Sequence, residues 1–242
     1  MISIILPVHN ESNNILKNIG PLVEQASSIP GGYEIIIAED GSTDGTHSLA
    51  TNLSKQNPGI RVSHSEKRLG KGLAIKKAFG ISRGDRIAFV DIDLSADISQ
   101  LREFAEQDSD IVIGSRLLKD HVARRGSFRH ISSVSYNVLV RLFLGSIVRD
   151  HQCGFKFFRR GVLEDLISRT QNNRWFFDTE LLINARRRGY SIRELPVRWT
   201  ESKKSKINIK KVTLEMLRDM IRFKRGRQPT SRHLRNQRPC SG

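Results

Sequence analysis

The chain opens on an apolar run, Ile2–Leu6, closed by Pro7, and through its first half such runs alternate with stretches of helical periodicity. The strand candidates are Ile2–Leu6, Tyr33–Ala38, Ile60–His64, Arg86–Val90 and Asp110–Ile113. Helix candidates lie between them, at Ser12–Ser27, Asp44–Gln56, Gly70–Gly80 and Ile98–Glu106, with Ser12 and Asp44 placed to cap and Gly80 and Gly84 placed to stop. Strands alternating with helices predict βαβ units and a mostly parallel sheet flanked by helices. The second half predicts a helix at Ile131–Leu144, a strand at Phe155–Phe158, a helix at Phe176–Arg188 ended by Gly189, and a strand at Ser191–Glu194. Farther on, Ile209, Val212, Met216, Leu217, Met220, Ile221 and Phe223 fall largely on one helical face, against a basic remainder that includes Lys210, Lys211, Arg218, Arg222, Lys224 and Arg225.

Charge changes this picture at one end. The formal net charge is +16, and residues 201–242 carry 13 Lys/Arg against 3 Asp/Glu. Such a tail suits nucleic acid, an anionic membrane or another polyanion. Residues 226–242 are polar and basic, with the composition of a disordered segment. The two cysteines, Cys153 and Cys240, form no CxxC or Cys/His cluster, so neither a disulfide framework nor a zinc site is expected, and a reduced, cytosolic setting is the simpler reading. The start lacks the basic and long apolar regions of a signal peptide. The nearest approach to a spanning helix, Ile131–Val148, contains Arg141 and several serines, and reads as an amphipathic or buried helix.

In an open parallel sheet, ligands bind beyond the carboxyl ends of the strands. After the first predicted strand come Pro7-Val8-His9-Asn10-Glu11; after the second, Glu39 to Gly45; after the fourth, Asp91-Ile92-Asp93; after the fifth, Gly114-Ser115-Arg116. Asp91 and Asp93, spaced i and i+2 at a strand end, can share a hard cation such as Mg²⁺ or Mn²⁺ together with a substrate's phosphates, or they can form a solvated acidic turn. Asp40 can accept hydrogen bonds from a base or ribose, or serve an Asx turn. Lys71, in Arg68-Leu69-Gly70-Lys71-Gly72, can meet a phosphate, but the segment is not a P-loop, and a solvated lysine at a helix start is the plain reading.

These motifs together resemble those of the inverting family-2 glycosyltransferases: PVHNE at 7–11, EDGSTDGT at 39–46, GKG at 70–72, DID at 91–93 and GSR at 114–116. Three later segments, DHQCGFK at 150–156, RWFFDTELL at 174–182 and ELPVRWTESKKSK at 194–206, are similar to the dolichyl-phosphate sugar synthases, particularly the glucosyltransferase branch. The resemblance spans residues 2 to about 222. It implies a Rossmann-like, GT-A type domain over 1–206, with a nucleotide-sugar-binding half at 1–116 and an acceptor half at 117–206, followed by a basic amphipathic helix over 207–225.

The resemblance also assigns roles. Pro7, Glu11 and Asp40 would help hold the nucleotide. Asp91 and Asp93 would hold Mg²⁺ or Mn²⁺ and the diphosphate, and Arg116 and Arg129 would lie near the donor and acceptor phosphates. Gln152 and Lys156 would shape the acceptor side. Asp178 and Glu180 would organise acceptor-side arginines or pair with Arg186–Arg188. His9 stands where relatives often carry an aromatic, Glu39 where aspartate is usual, and Ser95 where mannose-transferring relatives can carry glutamine. The implied reaction moves a hexose, from UDP-glucose ahead of GDP-mannose, to a polyprenyl or dolichyl phosphate, with the protein peripheral on the cytoplasmic face of a membrane. The competing readings are a family-2 enzyme acting on a hydroxyl, with Glu180 as base; a catalytically dead scaffold; and a nucleic-acid-binding module. No recognised nucleic-acid motif supports the last, and no nucleic-acid partner is expected.

Overall fold

The computed structural model describes residues 1–118, 123–124, 127–200 and 209–226, with backbone alone for 123–124, 127–130 and 209–211. The first half forms β1 (Ile2–Val8), α1 (Ser12–Ser27), β2 (Tyr33–Asp40), α2 (Thr46–Gln56), β3 (Ile60–Ser65), α3 (Lys71–Ile81), β4 (Arg86–Val90), α4 (Leu101–Ala105) and β5 (Ile111–Ser115). It continues with β6 (Ala123–Arg124), α5 (Ser127–Leu144), β7 (Phe155–Arg159), α6 (Arg160–Arg169), α7 (Phe177–Arg187), β8 (Ile192–Pro196), β9 (Trp199–Thr200) and α8 (Ile209–Lys224).

Seven strands make one sheet in the order β3-β2-β1-β4-β7-β5-β8, and β6 pairs with β9 beside it. All neighbours in the large sheet are parallel except β7, which runs antiparallel to both β4 and β5. The sheet therefore crosses both expected halves, with β7 and β8 joined to strands of the first. The central strands read as unbroken apolar runs because both sheet faces are covered. Alternate residues go to opposite sides: Ile4 and Leu6, Ile35 and Ile37, and Ala88 and Val90 pack toward α1, α2 and α4, while Ile5, Ile36, Ile87 and Phe89 pack toward α3, α6 and α7. A third apolar cluster joins α5, α7 and α8 through Tyr136, Val140, Phe176, Ile183, Met216 and Met220.

Several local expectations shift. Ser12 is the first residue of α1 and not its cap; its Oγ donates to Asp44 at 3.0 Å, and Glu11 holds the cap position. Gly45 takes the cap position of α2 at φ +85°, which a glycine adopts without strain, while the Asp44 carboxylate still accepts from Thr46 N at 3.1 Å. Helix α3 runs through Gly80 to Ile81. The predicted helix at 98–106 divides into a 3₁₀ turn, Ile98–Gln100, and the short α4. Helix α6 was not anticipated. Helix α8 does form, and Met216 and Met220 on its apolar face are buried in the third cluster, so that face covers protein. Residues 201–208 and 227–242, including most of the basic tail, lie outside the described residues.

Strands β1, β2 and β3 succeed one another to one side, and β4 then falls on the other side of β1. This reversal opens the crevice in which open α/β sheets bind ligands. The antiparallel β7 adds to it: Phe155, at its start, is paired with Val90, at the end of β4. The residues just before β7 are thereby delivered to the same edge as the carboxyl ends of β4 and β5.

Candidate active site

Two loops close the β1–β2 side of the crevice. Asn10, at φ +57°, donates its N–H to Ser42 Oγ at 2.9 Å and accepts from Thr43 N at 2.7 Å through Oδ1. Glu11 N donates to Thr46 Oγ1 at 2.9 Å, and the Glu11 carboxylate accepts from Asn14 Nδ2. Pro7 sits half-buried near the end of β1. Asp40 is buried, and its two oxygens accept from Leu69 N at 2.6 Å and Gly70 N at 2.9 Å. Asp40 thus holds the loop that leads to Lys71. Glu39 is likewise buried; burial works against its charge, but bonds from Ser42 and His64 outweigh this and keep the carboxyl below its ordinary pKa. His9, which stands where the resembled relatives often carry an aromatic, has Nδ1 2.8 Å from the Asp40 carbonyl.

Beyond β4 the acidic pair takes shape. Asp91 N donates to Gly154 O at 3.1 Å, and a Cβ on Gly154 would stand 1.8 Å from Asp91 Oδ2, so only glycine leaves the carboxylate room. Asp93 turns back to accept from Ser95 N at 3.1 Å and Ser95 Oγ at 2.8 Å. Burial, and then the Asp91 charge, push the Asp93 carboxyl above its ordinary pKa. A divalent cation would reverse both penalties. Among the described residues no group of three or more His, Cys, Asp or Glu gathers into a metal site. Asp91 and Asp93 are two carboxylates that could hold such a cation, and the remaining oxygen ligands would then come from a substrate's phosphates and water, the usual arrangement for Mg²⁺.

A chain of alternating charges backs this pair. Lys71 Nζ lies 3.3 Å from Asp91 Oδ1 and 3.4 Å from Asp178 Oδ2. Lys156 Nζ donates to Asp178 Oδ1 and to the Cys153 carbonyl, both at 2.6 Å. Burial disfavours the Lys71 ammonium, yet Asp178 and Asp91 outweigh it and hold its pKa above the ordinary lysine value. Burial also opposes the Asp178 charge, and Lys156 and Lys71 outweigh that in turn, keeping the carboxyl low. Lys156, expected to shape the acceptor side, is 0% exposed, so its place is behind Asp178 and away from the open crevice. Asp178 does not pair with Arg186–Arg188; it anchors Lys71.

The five residues before β7 each fix a different neighbour. Asp150 grips Arg116 in a two-pronged pair, at 2.6 Å to Nε and 2.7 Å to Nη2, and also accepts from its backbone N at 3.0 Å. The Arg116 guanidinium lies 4.7 Å from the centre of the Trp199 ring. His151 joins α5 through Asn137 Oδ1 and bonds Ser146 Oγ, each at 2.8 Å. Gln152 Nε2 reaches α7 at Thr179 Oγ1, 3.2 Å away. Cys153 offers its carbonyl to Lys156, and Gly154 admits Asp91. Sequence reasoning assigned roles here only to Gln152 and Lys156; the acid of the DHQCGFK motif was the available sign of Asp150.

Asp91, Asp93, Lys71, Arg116 and Gln152 thus gather around the carboxyl ends of β4 and β5, with Asp178 and Lys156 behind them. Glu180 does not join them. Two positions along α7 from Asp178, it faces another way, and its carboxylate accepts from Gln171 N at 2.9 Å and Asn172 N at 2.8 Å. Arg129 falls in the first turn of α5, and its side chain is outside the described residues.

The sequence profile of glycosyl transferase family 2 matches residues 3–167. Glycosyltransferase AglD of Haloferax volcanii is 40% identical over 227 residues, covering 91% of this chain but only 36% of AglD. The chain therefore spans about a third of that relative. The dolichyl-phosphate beta-glucosyltransferase ALG5C of Trichomonas vaginalis is 32% identical, covering 92% of this chain and 71% of its own length. The human dolichyl-phosphate beta-glucosyltransferase is 31% identical, with 91% and 74% covered. Among solved structures, glucosyl-3-phosphoglycerate synthase from Mycobacterium tuberculosis, in complex with Mn²⁺, UDP and glucosyl-3-phosphoglycerate, superposes with a TM-score of 0.64 at 19% identity, over 95% of this chain and 81% of that one. The mannosyltransferase PcManGT of Pyrobaculum calidifontis gives 0.55 at 17% identity, over 85% and 57%. These two likenesses establish the GT-A fold. By the family match and the identity to its relatives, this chain belongs to glycosyl transferase family 2, and it resembles the dolichyl-phosphate β-glucosyltransferases within that family.

Proposed function

We propose that the protein transfers a hexose, from UDP-glucose in preference to GDP-mannose, to a polyprenyl or dolichyl phosphate at a membrane surface, with inversion at the anomeric carbon and with Mg²⁺ or Mn²⁺ bound. The observation that carries this reading is the state of the acids around the pair. Asp178 is locked between two lysines, and Glu180 is turned onto the backbone at 171–172. Transfer to a hydroxyl calls for a general base to take its proton, commonly a carboxylate, and neither Asp178 nor Glu180 is free for that role. A phosphate monoester, whose second ionisation lies at about 6, arrives at neutral pH already nucleophilic.

In this reading Asp91 and Asp93 hold the cation, which when bound offsets charge developing on the leaving diphosphate. Lys71 adds a fixed positive charge beside it, and Arg116, held by Asp150, presents a second toward the acceptor side. Arg129 and Gln152 border the acceptor. Pro7, Glu11 and the Asp40 loop frame the nucleoside. The names of the curated relatives favour glucose and dolichyl phosphate, and Mn²⁺ is bound by both structural relatives described above. Ser95, where mannose-transferring relatives can carry glutamine, points the same way.

The test is transfer of radiolabel from UDP-glucose and, separately, GDP-mannose into solvent-extractable polyprenyl phosphate, with Mg²⁺, Mn²⁺ or EDTA, beside Asp93→Ala. Metal-dependent labelling from UDP-glucose, absent in the variant, is expected. Labelling of a soluble glycan or small-molecule acceptor in place of the lipid would overturn the acceptor assignment.

A further inference from the structure

Helix α5 is apolar on two sides. Its inner side buries Tyr136 and Val140 against α7 and α8. Its outer side leaves Ile131 62% and Leu142 75% exposed, eleven residues and so three turns apart on one stripe. Phe143 is half-exposed next to Leu142, and Ile147, in the turn that follows, is 64% exposed. On α8, Leu214 and Ile221 are also exposed, on the side of the helix opposed to its buried methionines. Lys224 Nζ lies 5.1 Å from the centre of the Phe143 ring, and Ile221 is one turn before Lys224, so the ends of the two helices make a continuous surface. Large exposed side chains grouped in this way mark an interaction surface, where scattered single ones would not.

Charge selects the partner. Helix α5 contains no Asp or Glu. Around the exposed apolar residues stand Arg141, Arg149, Arg218, Lys224 and Arg225, all exposed. Of the two acids on α8, Glu215 pairs with Arg174 and Asp219 with Asn172 and Arg222. Bulky apolar side chains ringed by cations with long aliphatic stems match the boundary between acyl chains and anionic headgroups. The surface also adjoins the reaction site, because α5 is tied to the residues before β7 by Asn137 and His151 and to α7 by Tyr136 and Thr179.

We infer that this outer face, formed by α5, the turn at Ile147 and the exposed side of α8, docks the protein onto an anionic lipid bilayer. Of the apolar residues that the sequence pattern put on one side of α8, Met216 and Met220 are buried against α5 and α7, while Ile221 is exposed and belongs to the docking face. The inference rests on the proposed lipid acceptor for its biological sense, and its test is separable from that proposal. The chain is sedimented with phosphatidylcholine vesicles and with vesicles that also contain phosphatidylglycerol. Retention on the anionic vesicles, falling as salt is raised, is expected. Leu142→Ser with Ile147→Ser should lower that retention at least about tenfold, and Arg141→Gln with Arg149→Gln about as much, since each basic residue near such a surface adds about fivefold. Melting temperatures should stay near the parent's, as all four residues are exposed.

Equal retention of parent and variants, or none on either vesicle, would overturn the inference. So would a dimer of the parent chain that Leu142→Ser with Ile147→Ser dissociates, which would give the face to a second copy. Sugar transfer is measured alongside, to polyprenyl phosphate dispersed in detergent. Transfer preserved in variants that no longer sediment separates docking from chemistry. Sedimentation without any transfer to the lipid phosphate would leave the docking face standing and refute the acceptor.

Discussion

Replacing Asp178 by Asn removes one negative charge from between two lysines and leaves the side-chain shape nearly unchanged. Lys156, 0% exposed and 2.6 Å from Asp178 Oδ1, then keeps only the Cys153 carbonyl and a neutral amide oxygen. Breaking a buried ion pair by removing one partner costs about 3–5 kcal/mol, because the remaining charge stays buried. For a domain of this size each kcal/mol is worth about 2–4 °C, so Asp178→Asn should melt about 6–20 °C below the parent. A second variant separates stability from position. Lys156→Met with Asp178→Asn removes both buried charges, and well-packed apolar replacements of buried pairs are often neutral or better. Its melting temperature should recover most of the loss. Lys71 will still lack its second anchor, 3.4 Å away in the parent, and will rest on Asp91 alone. Affinity for a nucleoside diphosphate should therefore stay about tenfold weakened in the double variant, while affinity for the nucleoside without phosphates is unchanged. Differential scanning fluorimetry and titration calorimetry read the two effects. The reasoning is refuted if the single variant melts with the parent, or if the double variant binds the diphosphate as the parent does.

Gly154→Ala should leave a folded chain but displace the Asp91 carboxylate, which lies 1.8 Å from where the new Cβ would stand; Mn²⁺ affinity, followed by electron paramagnetic resonance, and sugar transfer should both fall about a hundredfold. Arg116→Lys loses the two-pronged fit to Asp150 and should cut transfer about ten- to a hundredfold with smaller change in melting temperature; an effect on melting alone would make the pair purely structural. Burial depresses the His151 imidazole to about 4, so the unfolded chain, at about 6.5, binds the proton first and stability is lost as pH falls through that window. About 2 kcal/mol should disappear between pH 7 and pH 5, and the slope of melting temperature against pH should flatten in His151→Gln.

The strands were legible because a sheet covered on both faces demands unbroken apolar runs, and such runs end where their burial ends. Helix α6 was equally written in Val162, Leu163, Leu166 and Ile167, but a ten-residue helix directly after a strand left no turn signal to mark its start. The acids at 40, 91 and 93 and the lysine at 71 stood out because each follows a strand or opens a helix. Their partners did not. Asp150 meets Arg116 from 34 residues away, and Lys156 sits on an apolar strand in a position that its spacing alone makes a surface residue. Glu180 looked more available for the site than Asp178, and the structure has them the other way round, since only the packing of α7 between two clusters tells which of its sides meets the crevice.

What the sequence pattern hid is the direction of β7, and direction is what builds the acceptor side. Had β7 run parallel to its neighbours, the turn before it would lie at the far edge of the sheet, and only its last residues would reach the crevice. Antiparallel pairing of Phe155 with Val90 and of Lys156 with Ile113 brings Asp150–Gly154 to the ends of β4 and β5 together. Five consecutive residues then reach five partners with little chain to order, which keeps the entropy of assembling the site low.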